Sequence, residues 1–350
     1  MPRKKVLHGI DQADKRPVLL RDRYSVTGMR FSILTLWLSL ALSASAAFAQ
    51  TKPVKVIIDT DLGDDIDDAF AIDLALSSPE FKILGISSAW GDTALRARML
   101  DRMVCETGRG EIKVNTGVPT KSTTPFSQAA WAQAGIEHPH EDAVTFLLEQ
   151  IKAHPGEITL LALGPLTNLG AAIDRDPATF RMLERVVLMG GSVHRGYGPI
   201  GTAPEPEYNI ARDPLSAQKL LRAGVPIFML PLDSTQIKFG PAKRSELASI
   251  STPMTDSLQV LIAEWSRSTH QDSPTLFDAV AAAYAIDAMT CPMTPLRLEV
   301  DDKGMMHTIP GHPNANACLE PREDALFSLL LPRLLNQRLV GSEPCIAAPK

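Results

Sequence analysis

The stretch KVIIDTDLGDDIDDAFAIDLAL (55–76) carries six aspartates between Asp59 and Asp68, directly after an apolar run. Like charges packed so closely repel one another and lower stability. Carboxylates crowded at a strand end need protons or a cation, and a hard divalent ion held by oxygens is the usual solution. Calcium takes about six to eight oxygens, so distant parts of the chain are expected to supply ligands too. Aspartate is also favoured at helix N-termini, where the dipole stabilises negative charge. Asp64 and Asp73 are the two expected to do only that. Capping does not account for the whole cluster, and metal binding is the reading it favours.

The elements that must position these carboxylates alternate along the chain. KVIID, FKILGISSA, EITLLALG, RVVLMGG and VPIFMLPLD read as buried strands ending in glycine, proline or a polar residue. Helical patterns fall between them: DDAFAIDLALSS, TALRARMLDRMVCETG, DAVTFLLEQIKAH, LTNLGAAIDRDPATFRMLE and PLSAQKLLRAG. The alternation predicts an α/β fold, a Rossmann-like and mostly parallel sheet flanked by helices. Ligands bind such sheets beyond the carboxyl ends of the strands, where Asp59, Asp61, Asp92 and Asp233 fall. Two stretches break the rhythm. One is the glycine- and proline-rich loop 193–209; the other is 121–140, a candidate lid carrying Trp131, His138 and His140. From Cys291 on, LRLEV, MMHTI and ANACLE predict a small antiparallel appendage before the helix EDALFSLLLPRLLNQRL. No internal repeat interrupts residues 50–350, which read as a single domain.

DTDLGDDIDDAFAI resembles the N-terminal signature of the inosine–uridine preferring nucleoside hydrolases. LLALGPLTNLGAAI (160–173), RVVLMGGSV (185–193), PEYNIARDP (206–214), GVPIFMLPLDST (224–235) and LFDAVAAAYAID (276–287) follow in that family's order and spacing. The resemblance implies the nucleoside hydrolase fold. It also implies calcium-dependent hydrolysis of the N-glycosidic bond of ribonucleosides, or related N-ribosides, to ribose and free base. In that scheme Asp61 binds calcium and takes the proton from the attacking metal-bound water. Asp278 is a further calcium ligand, and Leu163 offers its backbone carbonyl. Glu207 and Asn209 match residues that hydrogen-bond ribose hydroxyls, and Met189 one that lines the ribose pocket. A homo-oligomer, dimer or tetramer, is implied as well.

Four departures limit the transfer. Three residues rather than one separate Gly63 from the pair Asp67-Asp68. Asp65 keeps the usual distance from Asp61, so Asp65 and Asp68 are the expected metal ligands and Asp67 a ribose contact; Asp67 with Asp68 is the other register. Asp92 replaces an asparagine that contacts ribose, and the asparagine expected near Gly201 is missing. Phe277 stands where many members carry a histidine that protonates the departing base. Phe277, Trp131 and Tyr208 are then candidates to stack on the base, and His138 or His140 to donate a proton. One rival is a nucleoside- or ribose-binding protein without catalysis. Another is a haloacid-dehalogenase-type phosphatase, which shares the aspartate-x-aspartate pattern but whose lysine and later acidic motif find no clear match here.

With 350 residues, 45% of them hydrophobic, and a net charge of -5, the chain has ordinary globular composition. The modest acidity argues against nucleic acid or an anionic membrane as partner. The N-terminus differs. A basic lead (Lys4, Lys5, Lys15, Arg16, Arg21, Arg23, Arg30) precedes FSILTLWLSLALSASAAFAQ, which ends in Ala47-Phe48-Ala49. Residues 1–49 therefore read as a secretory signal with its lead, starting at Met29, cleaved after Ala49 and directing export to the periplasm. A retained membrane anchor is the alternative. Cys105, Cys291, Cys318 and Cys345 form no CxxC pair. One or two disulfides are expected in an oxidising compartment, with Cys345 tying down the tail and the pairing left open.

Overall fold

A computed structural model describes residues 52–124, 126–340 and 345–347, and the signal-like lead lies outside them. Residues Lys52–Lys350 form one compact unit. Its centre is a sheet built from β1 (Val54–Thr60), β2 (Phe81–Ser88), β3 (Lys113–Thr116), β4 (Glu141–Asp142), β5 (Ile158–Ala162), β6 (Arg185–Met189), β7 (Ile227–Leu230), β8 (Met293–Leu296) and β11 (Ala315–Cys318). The order is β4-β3-β2-β1-β5-β6-β7-β11-β8, with every neighbouring pair parallel except β11 with the edge strand β8. The strand order reverses at β1, which lies between β2 and β5. A crevice beyond the carboxyl ends of β1 and β5 is thus the place where such a sheet binds ligands.

Both faces of the sheet are covered. Val56 and Ile58 of β1 pack into one apolar cluster, while Ile57 points into the other, as the two-residue period of a strand requires. The first cluster is closed by α1 (Asp67–Leu76), α2 (Thr93–Glu106) and α3 (Ala129–Ala134). The second is closed by α4 (Ala143–Ala153), α5 (Thr167–Arg175), α6 (Pro177–Phe180), α7 (Tyr208–Arg212) and α8 (Pro214–Arg222). The chain then returns to the first face with α9 (Leu232–Thr235), α10 (Pro241–Leu247), α11 (Pro253–Thr269), α12 (Phe277–Ile286) and α13 (Glu323–Leu335). Every residue of α1 is buried, which explains why its sequence is apolar almost all round rather than on one stripe.

Two expectations about elements need correction. LTNLGAAIDRDPATFRMLE is not one helix; it breaks at Asp176, whose side chain accepts from Thr179 N–H to cap α6, with Pro177 in the first turn. ANACLE does not belong to the appendage. Asn316 and Ala317 pair with Phe228 and Met229 of β7, so β11 extends the main sheet. The separate antiparallel unit is only β9 (Leu298–Val300) with β10 (Met306–Thr308). Disulfides join Cys291 to Cys318 and Cys105 of α2 to Cys345 in the tail. Among the described residues, no helix is long and apolar enough to cross a membrane.

Candidate active site

Past β1 the chain turns through Gly63, at φ +131°, and enters α1 at Asp67. Asp61, Asp64, Asp65, Asp67, Asp68 and Asp278 all line one cavity of about 570 Å³ beyond the strand ends. Asp59 does not. It is buried against Asn168, whose Nδ2 donates to Asp59 Oδ1 at 2.7 Å and to Ser88 O at 2.9 Å, so that Asn168 ties β1 to β2. Burial pushes the Asp59 pKa up to about 7, against the lowering effect of that hydrogen bond.

Among the described residues, Asp67, Asp68 and Asp278 form the group that brings one carboxylate oxygen from each within 4.8 Å of the others. Asp67 and Asp68 open α1, Asp278 opens α12, and Asp278 N–H donates to Asp67 Oδ2 at 3.2 Å, interlocking the two first turns. The Thr60 hydroxyl donates to Asp68. Asp65, expected to share a metal with Asp68, lines the cavity but is not in this group. It sits on the bend before the helix, where its Oδ1 accepts from Ile66 N–H at 2.8 Å. Asp67 stands in its place because the helix begins after Ile66, not at Asp65.

The carboxyl groups resist ionising together. Burial raises the pKa of Asp61, Asp67 and Asp278 well above the usual range, and neighbouring aspartate charges raise it further. Burial likewise lifts Asp68 to about 7. Sequence reasoning missed the residue that offsets this. Arg96, only 2% exposed, donates to Asp61 O, to Leu62 O at 2.8 Å, to Trp90 O at 2.9 Å and to Asp64 Oδ2 at 2.6 Å. Its signal was present: Arg96 falls on the stripe of α2 with Thr93, Ala97, Leu100 and Met103, where an apolar residue belongs. Asp64 is therefore an ion-pair partner, not a helix cap. Asp73 caps nothing either, being inside α1, buried, with neither carboxyl oxygen hydrogen-bonded and its pKa raised by burial.

The PEYN segment adds Glu207, Tyr208 and Asn209 to the cavity lining. Glu207 is the N-cap of α7 and accepts from Asn209 N–H at 2.9 Å, Ile210 N–H at 3.2 Å and Gly191 N–H at 2.8 Å. Burial pushes its pKa up to about 7 despite those donors. Asn209 Nδ2 donates to Leu163 O at 2.7 Å and Met189 O at 3.1 Å, joining the ends of β5 and β6. Leu163 O keeps a second lone pair for another partner. A side chain at Gly164 would place Cβ 2.8 Å from Asp61 Oδ1, so only glycine lets the β5 end approach Asp61.

Phe277 and Tyr208 also line the cavity, but Asp92, Trp131, His138 and His140 do not. The left-handed φ of Trp90, 61°, turns the chain so that exposed Asp92 accepts from Leu95 N–H and caps α2. Trp131 is buried in α3 under the Arg102 guanidinium, 4.0 Å from its ring centre. His140 pairs with Asp101 at 2.7 Å, and His138 is exposed. From the 121–140 segment it is Thr124 and Ser127 that reach the cavity, and Tyr197, Trp265 and Thr269 join them unforeseen.

Residues 56–328 match the sequence profile of the inosine-uridine preferring nucleoside hydrolases. Uridine nucleosidase 1 of Arabidopsis thaliana is 31% identical over 215 residues, 57% of this chain and 62% of that protein. The pyrimidine-specific ribonucleoside hydrolase RihB of Escherichia coli (strain SE11) is 31% identical over 198 residues, 52% of this chain and 60% of that protein. The chain thus spans less than two thirds of the length of these curated relatives. A solved plant nucleoside hydrolase, PpNRh1, superposes with a TM-score of 0.71 at 25% identity, covering 82% of this chain and all of that one. The fold is shared too with a purine-preferring ribonucleoside hydrolase from Gardnerella vaginalis, at a TM-score of 0.68 and 23% identity over 81% of this chain and 98% of that one. With the profile running from within β1 past β11, the chain belongs to the inosine–uridine preferring nucleoside hydrolase family.

Proposed function

We propose that this protein hydrolyses the N-glycosidic bond of ribonucleosides, or of related N-ribosides, to ribose and free base. The observation that carries the reading is the convergence of Asp67, Asp68 and Asp278 in a cavity that Asp61, Glu207 and Asn209 also line. Family membership sets aside the phosphatase alternative.

The donor set fits a hard divalent cation. All three converging groups offer oxygen, and Asp278 Oδ1 is buried with no hydrogen-bond partner. We take the ion to be calcium, held by Asp67, Asp68 and Asp278 with Asp61 and Leu163 O at hand. When bound it supplies positive charge that anchors a sugar diol and lowers the pKa of a water.

The chain's own residues do the rest. Asp61 is the base that takes the water's proton. The water oxygen bonds to the anomeric carbon while the C–N bond breaks and its electron pair leaves with the base. The crowded carboxylates favour the positive charge that builds on the sugar. Glu207 and Asn209, locked by their backbone partners, orient the ribose hydroxyls. Phe277 offers the departing group an apolar face and no proton.

That last feature favours a second reading, a nucleoside-binding protein without turnover. Incubation of the purified protein with calcium and a panel of nucleosides, with reducing sugar as the readout, decides between them. Ribose release is expected. Binding without release supports the second reading, and neither binding nor release sinks both.

Export to an oxidising compartment is part of the proposal, supported by the signal-like lead and by the two disulfides. Fractionation followed by N-terminal sequencing should place the mature start at Gln50, whereas an uncleaved chain in the membrane fraction would favour the anchor. A dimer or tetramer is expected by light scattering, and a monomer would refute that assembly.

A further inference from the structure

Glu207 has a neighbour that neither motif nor resemblance assigns. Tyr197 lies at the tip of the glycine- and proline-rich loop and lines the cavity. The loop is held at its base by Asp233, which accepts from Val193 N–H at 2.9 Å and His194 N–H at 2.7 Å. Its tip is held as well: Glu205 Oε1 accepts from Tyr197 N–H at 2.8 Å, and Gln236 Oε1 from Gly198 N–H at 2.8 Å. A Cβ on Gly196 would come within 2.3 Å of Ala203 O, so the tight tip that presents Tyr197 needs glycine there.

The tyrosine connects the two ends of the site. Its Oη accepts from Tyr208 N–H at 3.0 Å, the donor that precedes the two helix N–H groups capped by Glu207. Because that bond uses an oxygen lone pair, the phenol keeps its own proton to give. That N–H belongs to the peptide that joins Glu207 to Tyr208, so the hydroxyl anchors the chain directly beside Glu207. At the other end the Tyr197 ring meets Phe277 edge-on, with centroids 6.1 Å apart and planes at 80°. Phe277 is the residue next to Asp278.

We propose that Tyr197 is a positioning residue of the hydrolytic site: its hydroxyl holds Glu207 in place for the sugar, and its ring braces Phe277 as the wall facing the departing base. This rests on the hydrolase reading. Tyr197 is 40% exposed, so its replacement leaves the core untouched, which thermal melting checks.

The test compares Tyr197→Phe, Tyr197→Leu, Glu207→Gln and the double variant Tyr197→Phe/Glu207→Gln. Tyr197→Phe keeps the ring and loses the hydroxyl; KM for ribonucleosides should rise about tenfold, with kcat within about twofold of wild type. Tyr197→Leu should lose roughly a further tenfold in kcat, because the brace on Phe277 goes too. On the Glu207→Gln background, Tyr197→Phe should change kcat/KM by less than about twofold, since the residue it acts through is already altered. Wild-type kinetics in Tyr197→Phe, or full additivity in the double variant, overturns the proposal. A wild-type protein that binds nucleosides without cleaving them sinks the hydrolase reading alone. Calorimetric Kd then replaces KM, with about a tenfold weakening expected for Tyr197→Phe. No binding by wild type overturns both.

Discussion

The floor of the cavity comes from the ends of regular elements, whereas its rim comes mostly from loops. Asp61 follows β1 directly, Asp67 and Asp68 open α1, and Asp278 opens α12. Tyr197 stands on a loop tip, Thr124 and Ser127 precede α3, and Thr269 ends α11. The floor is buried, crowded with like charge and tied to backbone atoms. The rim offers hydroxyls and aromatic rings, with Tyr197 exposed and Tyr208 and Phe277 partly buried. Reaction chemistry that tolerates little displacement is placed on rigid ends, and contacts that set substrate preference are placed where the chain can vary.

The largest effect should come from the floor. Asp61→Asn keeps shape but removes the base, and kcat should fall by about a thousandfold or more with an unchanged melting temperature. Activity close to wild type would remove Asp61 from that role.

Cation removal comes next. A chelator should abolish turnover, and calcium should restore it. Because folded Asp68 is raised to about 7 from 3.8, it keeps its proton in the cation-free protein at low pH. The stability this contributes is therefore full below the ordinary carboxylate pKa and is lost as pH rises through about 7. Cation binding needs the ionised groups, so the calcium-induced rise in Tm should be larger near about pH 8 than near about pH 5.5. A pH-independent Tm shift would contradict this.

Arg96→Leu tests what makes the crowded floor tolerable. It strands Asp64 and frees Asp61 O and Leu62 O, and denaturant unfolding should show a loss of about 3–5 kcal/mol. A loss below about 1 kcal/mol would mean that the loop holds itself.

The rim should respond more gently. Phe277→His supplies the missing acid, and kcat for nucleosides whose base must be protonated should rise roughly tenfold. The smallest effect is expected from His138→Ala, His140→Ala and Asp92→Ala, which should leave kcat/KM within about twofold. A large loss in any of them would mean that the segment closes over the substrate in a way this structure does not show.

Much of this architecture was legible before the fold. Alternating apolar runs and helical patterns announced a parallel sheet, because strands covered on both faces must be apolar throughout. Asp61 stood out because carboxylates crowded at a strand end need a cation, and Asp278 because LFDAV resembles a family motif. What short stretches left open has physical causes too. Whether Asp65 or Asp67 lies close to Asp68 depends on where α1 begins, and Asp67 there also accepts from Asp278 N–H of α12. Asp92 stands where the resembled family has a ribose-contacting asparagine, and in the structure it caps the next helix. Trp131 and His140 read as candidate lid residues, but Trp131 packs from α3 under Arg102 and His140 pairs with Asp101. Arg96 went unread although its place on an apolar stripe marked it.

The sequence by itself determined the kinds of groups available and the elements carrying them, since residue type and local periodicity are properties of short stretches. It also determined that the aspartates at 59–68 could not all be caps. Only the tertiary structure decided which carboxylates meet, that Arg96 lies buried among them and which aromatic rings line the cavity. Those are distances between segments as far apart as Asp67 and Asp278, and they exist only once the sheet has brought α1 and α12 side by side.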